Sequence, residues 1–347
     1  MLPAVSRRRR PSCSLGMPMT LVIGIDEAGY GPNLGPLVVG GTLWRVGGAA
    51  ATAAADGDAH DPLADLAASL AARRPRGGPL WGDSKKIFAR SRGGPAALAA
   101  LERGVLAALT AATGRLPAAG AELLAATDLA LPADASDGCW RSLGLRPIPE
   151  AATVEACHEA AAVAAACLAD HDVELLAVGC RWIFPAAFNA DLDRGDNKSD
   201  ILSRTSLRLA ADLRSRDAAS SASIWCDRHG GRKRYAGVVS HCFDAARVEP
   251  LAESADCSRY LIHGDGPATS VSFSVGGEAQ LPVAVASMTA KYLRELAMAA
   301  FNRFWSDHCR PLRPTAGYPL DARRWWRETA AARKQLAIVD QALWRRS

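Results

Sequence analysis

The sequence has no Cys-x-x-Cys pair, although nine cysteines are present, at positions 13, 139, 157, 167, 180, 226, 242, 257 and 309. Scattered and odd in number, they fit neither a zinc site nor a disulfide framework, and they suit a reducing compartment, hence a cytoplasmic protein. No apolar run approaches the roughly 18–20 residues a membrane-spanning helix needs, so no membrane crossing is expected. The run Arg7–Arg10 is followed by no apolar stretch of about 7–15 residues, which argues against a secretory signal. Lysine is scarce: six of the 41 basic residues, while about one residue in five is alanine. In such a background each lysine (85, 86, 198, 233, 291, 334) is worth locating, because arginine would have been the default.

What is present fits a globular chain. With 49% hydrophobic and 22% charged residues, disorder, collagen and fibre are excluded. A length of 347 residues suggests two domains, or one large domain with insertions. The net charge of +5 permits a nucleic-acid partner without demanding one.

Residues 1–19 read as a disordered basic tail or as sequence ahead of a later start at Met17 or Met19. Thr20–Ile25 is a nearly all-apolar run, as expected of a strand buried on both faces, and Pro36–Val46 reads as a second strand. Residues 47–80 look like a surface insertion with a short helix near 61–73. Pro95–Ala126 and Ala151–Ala169 are Ala-rich and helical in pattern, and Pro132–Pro149 is a turn-rich connector. Further strands are expected at Val173–Ile183, Ala222–Cys226, Ala246–Ala252 and Ser270–Val275, with a helix over 199–215. Pro282–Trp305 reads as a long amphipathic helix, and Asp321–Trp344 as a second, uninterrupted one.

Asp26 and Glu27 stand side by side at the end of an apolar strand. Like charges so close repel, and burial raises their pKa; a divalent cation removes both costs. Because adjacent strand residues face opposite ways, they can share an ion only where the strand frays into the Gly29–Gly31 turn. Trp81–Lys86 places two lysines beside Asp83 and Ser84, Ala286–Lys291 places another on a helix, and Asp227 ends a strand before a dense basic run, Arg228–Arg234.

In this order, IGIDEAGYGPNLGPLVVG, GDSKK, the strand-end Asp227, ASMTAKYLRE and AGYP resemble the type 2 ribonuclease H family, bacterial ribonuclease HII. In the family's opening block only an arginine differs, replaced here by Tyr30; in its A-S-I helix Met288 stands for Ile and Glu295 for Asp. The resemblance spans residue 21 to about 330. It implies an α/β, ribonuclease-H-like mixed five-stranded sheet flanked by helices, with a helical C-terminal extension. The catalytic domain would cover 20–305, with insertions near 47–80 and 95–170, and the substrate-binding extension 306–347.

The implied chemistry is hydrolysis of the RNA strand of RNA–DNA hybrids, or of duplexes with embedded ribonucleotides, by two Mg²⁺ or Mn²⁺ ions. Two such ions about 3.5–4 Å apart hold the attacking water and stabilise the leaving oxygen, and hard oxygen ligands suit them. By resemblance Asp26, Glu27 and Asp227 would hold the metals, with Glu278 as the fourth carboxylate and Asp256 or Asp265 as alternatives. Gly29, Tyr30 and Gly31 would read the ribose, Ser84, Lys85, Lys86, Ser287 and Lys291 the phosphates, and Tyr318 the adjoining sugar. The expected state is a monomer without a membrane partner. Two other readings stay open: a non-catalytic hybrid- or DNA-binding protein on the same fold, and a related metal-dependent DNA nuclease. His229 in its Arg-rich loop reads as surface, one of Trp325 and Trp326 as core, Cys226 as pointing away from the site, and Asp191, Asp193, Asp196 and Asp200 as a solvated turn and helix cap.

Overall fold

A computed structural model describes residues 19–47, 61–73, 78, 80–90, 94–131, 138–245, 247–264 and 266–346. The expected N-terminal tail, most of the 47–80 insertion, residues 132–137 of the connector, Ala246 and the alternative ligand Asp265 lie outside them.

Seven strands form one mixed sheet: β1 (Thr20–Ala28), β2 (Leu37–Val46), β3 (Val173–Ile183), β4 (Ser221–Asp227), β5 (Arg247–Glu253), β6 (Cys257–His263) and β7 (Thr269–Ser274). Their order is β3-β2-β1-β4-β7-β6-β5. β1 and β4 run parallel, as do β4 and β7, while every other pair is antiparallel. The resemblance implied a five-stranded sheet; β5, expected from the sequence at Ala246–Ala252, and β6, which was not expected, add a hairpin on the outer edge of β7. The mixed sheet flanked by helices and the helical C-terminal region are as the sequence implied.

Alternation along β1 separates two cores. Val22 faces one side with Trp44, Leu101, Val105, Val285 and Leu293, whereas Leu21, Ile23 and Ile25 face the other with Ile201, Leu209 and Leu213. The first side is covered by α1 (Pro62–Ala72), α2 (Ser84–Arg90), α3 (Gly94–Thr113), α4 (Gly120–Ala126), α5 (Val154–Asp170) and, after a connection from the sheet, the long helix α9 (Leu281–His308). The second is covered by α6 (Pro185–Asp193), α7 (Lys198–Arg214) and α8 (Ala236–Cys242). Asp200 completes a capping box with Asn197 at the start of α7 as expected, and Asp196 lies in the turn before it, but Asp191 and Asp193 end helix α6 rather than forming a turn; Asp191 and Asp196 pair with Arg204.

Helix α9 is not amphipathic as its sequence suggested. It is buried on nearly every side, because β1 and β2 lie against one flank and α3 against another. Its N-terminal turns lie directly on two glycines. A Cβ on Gly24 would come within 2.2 Å of the Pro282 carbonyl carbon, and one on Gly40 within 2.3 Å of the Ala286 oxygen. The Thr42 hydroxyl donates to the Pro282 carbonyl at 2.8 Å and fixes the same register. Buried Glu102 of α3 accepts the Tyr292 hydroxyl at 2.6 Å and the amides of Glu150, Ala151 and Ala152 at 2.7 Å each, tying α9 to that loop.

The single C-terminal helix expected over 321–344 is instead α10 (Pro319–Glu328) and α11 (Ala330–Gln335), followed by a short 3₁₀ turn at Asp340–Ala342. The break is at Thr329, whose hydroxyl folds back on the Trp325 carbonyl at 2.9 Å while its backbone leaves helical geometry. Trp325 is fully buried, as one of the pair was expected to be, and Trp326 lies under the Arg333 guanidinium. Contrary to the sequence expectation, one stretch, Ala96–Thr113 within α3, is long and apolar enough to cross a membrane. Here it packs against α5, β3 and α9.

Candidate active site

The parallel strands β1 and β4 end side by side, and a cleft of about 220 Å³ opens at their C-terminal ends. Asp26, Glu27, Gly29, Tyr30, Ser84, Lys85, Asp227, Glu278, Ser287, Lys291 and Tyr318 line it, so most of the residues picked from sequence meet in one place. Two do not line it: Gly31 is exposed beyond the turn, and Lys86 points outward and pairs with Asp83 at 3.4 Å. Asp256 lies on the exposed β5–β6 turn, whereas Glu278 lines the cleft, as does Glu295, which was given no ligand role from sequence.

The strand does not fray after Ile25 as anticipated. β1 stays paired with β2 through Ala28, while its pairing with β4 stops at Ile25↔Cys226. The edge facing β4 is therefore open at Asp26, and both carboxylates reach the cleft from an intact strand. Cys226 is buried in the core beneath, pointing away as expected.

Asp26 is almost wholly buried. One carboxylate oxygen accepts the Glu27 amide at 2.7 Å, and the other has no hydrogen-bond partner. Burial, then the Glu27 charge, pushes the Asp26 carboxyl well above the usual range. Glu27 also keeps one orphaned oxygen; burial, then the Asp227 charge, raises it to about 7. Asp227 accepts the Gly277 amide at 2.9 Å, which seats the 3₁₀ turn Gly277–Ala279 beside β4. That turn presents Glu278, raised by burial and held by the Lys85 ammonium at 2.9 Å.

Serine and lysine complete the floor. Asp83 caps α2 by accepting the amides of Lys85 and Lys86, which aims Ser84 inward at Ser287 of α9, 3.0 Å away. Half-buried Lys291 lies one helical turn further along α9, its ammonium lowered chiefly by burial. Tyr318 stands exposed at the rim, at the start of α10. Gly29 adopts φ +88°, and a Cβ there would strike the Arg294 side chain, so this turn position requires glycine.

Three residues of the site were not assigned roles from sequence. Arg294 of α9 is buried in the cleft wall and donates to the carbonyls of Leu34 and Ala316 at 3.2 Å each. Arg345, near the chain end, donates to the carbonyls of Gly29 and Pro32. Lys198 lies over the Tyr30 ring, 4.6 Å from its centroid. Neither of the last two belongs to a recognisable motif; the scarcity of lysine was the one signal for Lys198. His229 is not surface: it is buried against Tyr235 and Phe273, bonded to Ser203 at 3.0 Å, and burial lowers it to about 3. The basic loop after β4 folds inward at this residue, giving a neutral imidazole in the core.

Among the described residues no three acid, histidine or cysteine side chains stand already gathered as a closed metal cage. The donor set nevertheless suits hard divalent cations. Five carboxylates line one cleft, Asp26 and Glu27 are each raised by burial and by a neighbouring carboxylate, and two buried oxygens lack any partner among the described residues.

No family model matches the chain, and no curated protein does. Solved structures give distant likenesses. The PCNA:RNase HII complex from Archaeoglobus fulgidus aligns at 14% identity and TM-score 0.40, over 93% of each chain. The ribonuclease H2 of Pyrococcus horikoshii OT3 aligns at 13% and 0.38, over 93% of this chain and 92% of that one. Bst-RNase HIII in complex with Mn²⁺ aligns at 16% and 0.38, over 95% and 67%. Similarity this remote assigns no residue a role.

Proposed function

We propose that the protein is a metal-dependent endonuclease that hydrolyses the RNA strand of RNA–DNA hybrids. The observation that carries this reading is the cleft at the ends of β1 and β4, where five carboxylates, two of them with orphaned oxygens, stand against Lys85, Lys291 and a serine pair. A protein that only binds nucleic acid gains nothing from buried, mutually repelling carboxylates on a phosphate-binding surface. Asp26, Glu27, Asp227 and Glu278 would hold Mg²⁺ or Mn²⁺. When bound, such ions supply Lewis-acid activation of water and charge stabilisation at the phosphate.

The chain's own groups do the rest. Lys85 pairs with Glu278, and its exposed ammonium is placed to meet an entering phosphate together with Lys291. Ser84 and Ser287 offer hydroxyls at the cleft floor, bonded to one another at 3.0 Å. Arg294 and Arg345 anchor the carbonyls of the Gly29–Leu34 turn, so its backbone is fixed before any ligand arrives. Gly29 and Tyr30 line the cleft with Tyr318, whose ring lies beside Gly31 of the same turn, and from there these residues would tell a ribose from a deoxyribose. Cytoplasmic location and a monomeric state belong to the same proposal.

The test is cleavage of a labelled RNA–DNA hybrid, a duplex with one embedded ribonucleotide, and duplex DNA, in Mg²⁺ and in Mn²⁺, with Asp26→Asn beside the wild type. Metal-dependent cutting of the RNA strand that Asp26→Asn abolishes is expected. Cutting of DNA duplex instead would convert the reading to a DNA nuclease. Hybrid binding without cutting under any metal would leave a binding protein.

A further inference from the structure

Beyond the carboxylates and the lysines of α2 and α9, cations gather behind the Gly29–Leu34 turn. Arg294 and Arg345 are both buried, and each donates through one nitrogen to carbonyls of the turn, Arg294 also to Ala316. Lys198, the first residue of α7, is different. Its ammonium rests on the face of Tyr30, and among the described residues it has no acid partner. The nearest acid along the helix, Asp200, is taken by Arg232 and by the capping box. Burial and then the neighbouring Arg345 charge lower its ammonium below the ordinary value. An aromatic face offsets only part of the cost of placing a half-buried cation beside another cation. An anion drawn to that position would offset the remainder.

The position has a direction. Lys85 and Lys291 reach the cleft from the side of the sheet covered by α9, whereas α7 covers the opposite side. Tyr30 lines the cleft and packs against the core on the α7 side, so the ammonium on its ring belongs to that side and the other two lysines to the α9 side. A backbone touched only by Lys85 and Lys291 could pivot about that contact. One held at both walls is stretched over Asp26 and Glu27.

We propose that Lys198, seated on Tyr30, is a phosphate-binding residue that holds the nucleic-acid backbone on the α7 side of the carboxylates. This rests on the nuclease reading above and adds a contact to it. The ring fixes the ammonium against the turn, and Arg345 keeps the turn in place beneath it. The contact is with a phosphate, so it strengthens binding to any sequence alike and weakens as salt rises.

The test is equilibrium binding of a labelled RNA–DNA hybrid and of duplex DNA in EDTA, titrated across salt concentration. It compares wild type, Lys198→Ala, Lys198→Arg and, on the exposed face of α11, Lys334→Ala, with a melting curve for each. Lys198→Ala should weaken hybrid binding at least about threefold at 0.1 M salt and lower the slope of log K against log salt by about 1. Lys198→Arg should restore both, and Lys334→Ala should change neither. Wild-type affinity and slope in Lys198→Ala would overturn the proposal. So would weaker binding with an unchanged slope and a lowered melting temperature, since the residue would then be structural only. If the wild type binds and cuts hybrid while Lys198→Ala behaves normally, this contact alone is wrong. If the wild type binds neither nucleic acid, the nuclease reading falls and the contact with it.

Discussion

Asp26 and Glu27 illustrate what a single pair of residues can cost a fold. Their carboxyls share a buried strand end, each raised by burial and by a neighbouring carboxylate, and each keeps an oxygen with no partner. In the absence of metal that arrangement opposes folding. Asp26→Asn should therefore stabilise the protein in EDTA by about 1–3 kcal/mol, because an amide carries no charge to desolvate or repel. Mg²⁺ or Mn²⁺ should raise the melting temperature of the wild type and leave that of the variant nearly unchanged. Urea unfolding in EDTA and thermal melts with added metal check both; a destabilised variant with an undiminished metal response would refute the ligand role. Asp26, Glu27, Asp227, Lys85 and Lys291 were legible in the sequence because their chemical types fall in short ordered blocks. Lys198 and Arg345 were not, since their meaning comes from residues 168 and 316 positions away. His229 was misread because an arginine-rich stretch gives no sign of which member turns inward.

At the scale of elements, the site depends on how α9 lies on β1 and β2. Ser287 and Lys291 reach the cleft only because Gly24 and Gly40 let the helix backbone approach the sheet without intervening side chains. Gly40→Ala would put a methyl into the Ala286 carbonyl, and the helix cannot yield without moving Ser287 next to it. The substitution should destabilise by about 1–3 kcal/mol. Activity per folded molecule should also fall, because α9 lifts from Asp26. Urea unfolding paired with single-turnover rates separates the two losses, and a variant with normal stability and rate would show that α9 has room to spare. The sequence marked α9 as a helix but not its surroundings. Its residues are apolar nearly all round, and only the folded chain reveals that a sheet and a second helix take opposite flanks. The strand β6, CSRYLIH, escaped for the opposite reason. Its burial alternates, but one of its two buried positions is Ser258, so the apolar alternation that marks a strand is missing.

Across the whole molecule, the C-terminal segment closes the site from the far end of the chain. Trp344 pairs with Leu34 in an isolated bridge, the Arg345 amide donates to Asn33 at 2.7 Å, and Asn33 returns a bond to the Arg345 carbonyl at 3.0 Å. The Arg345 guanidinium is buried and grips the carbonyls of Gly29 and Pro32, and the amides of Asn33 and Leu34 donate to Gly317. The Gly29–Leu34 turn is thus held between two segments of the C-terminal region rather than by β1 and β2. Arg345→Ala would leave two carbonyls without donors, costing about 1–3 kcal/mol if they stay buried. The turn would relieve that cost by opening. Hydrogen exchange at Asn33 and Leu34 should then accelerate well beyond that of the β1 core amides, whereas global melting should fall only modestly. Hybrid cleavage should lose more in KM than in kcat, since the carboxylates sit on an undisturbed strand while the substrate-facing turn loosens. Uniform acceleration of exchange over β1 and the turn together would mean that Arg345 supports the fold as a whole and not this turn. Unchanged exchange at Asn33 and Leu34 would mean that the backbone bonds from residues 317 and 345 suffice without the guanidinium.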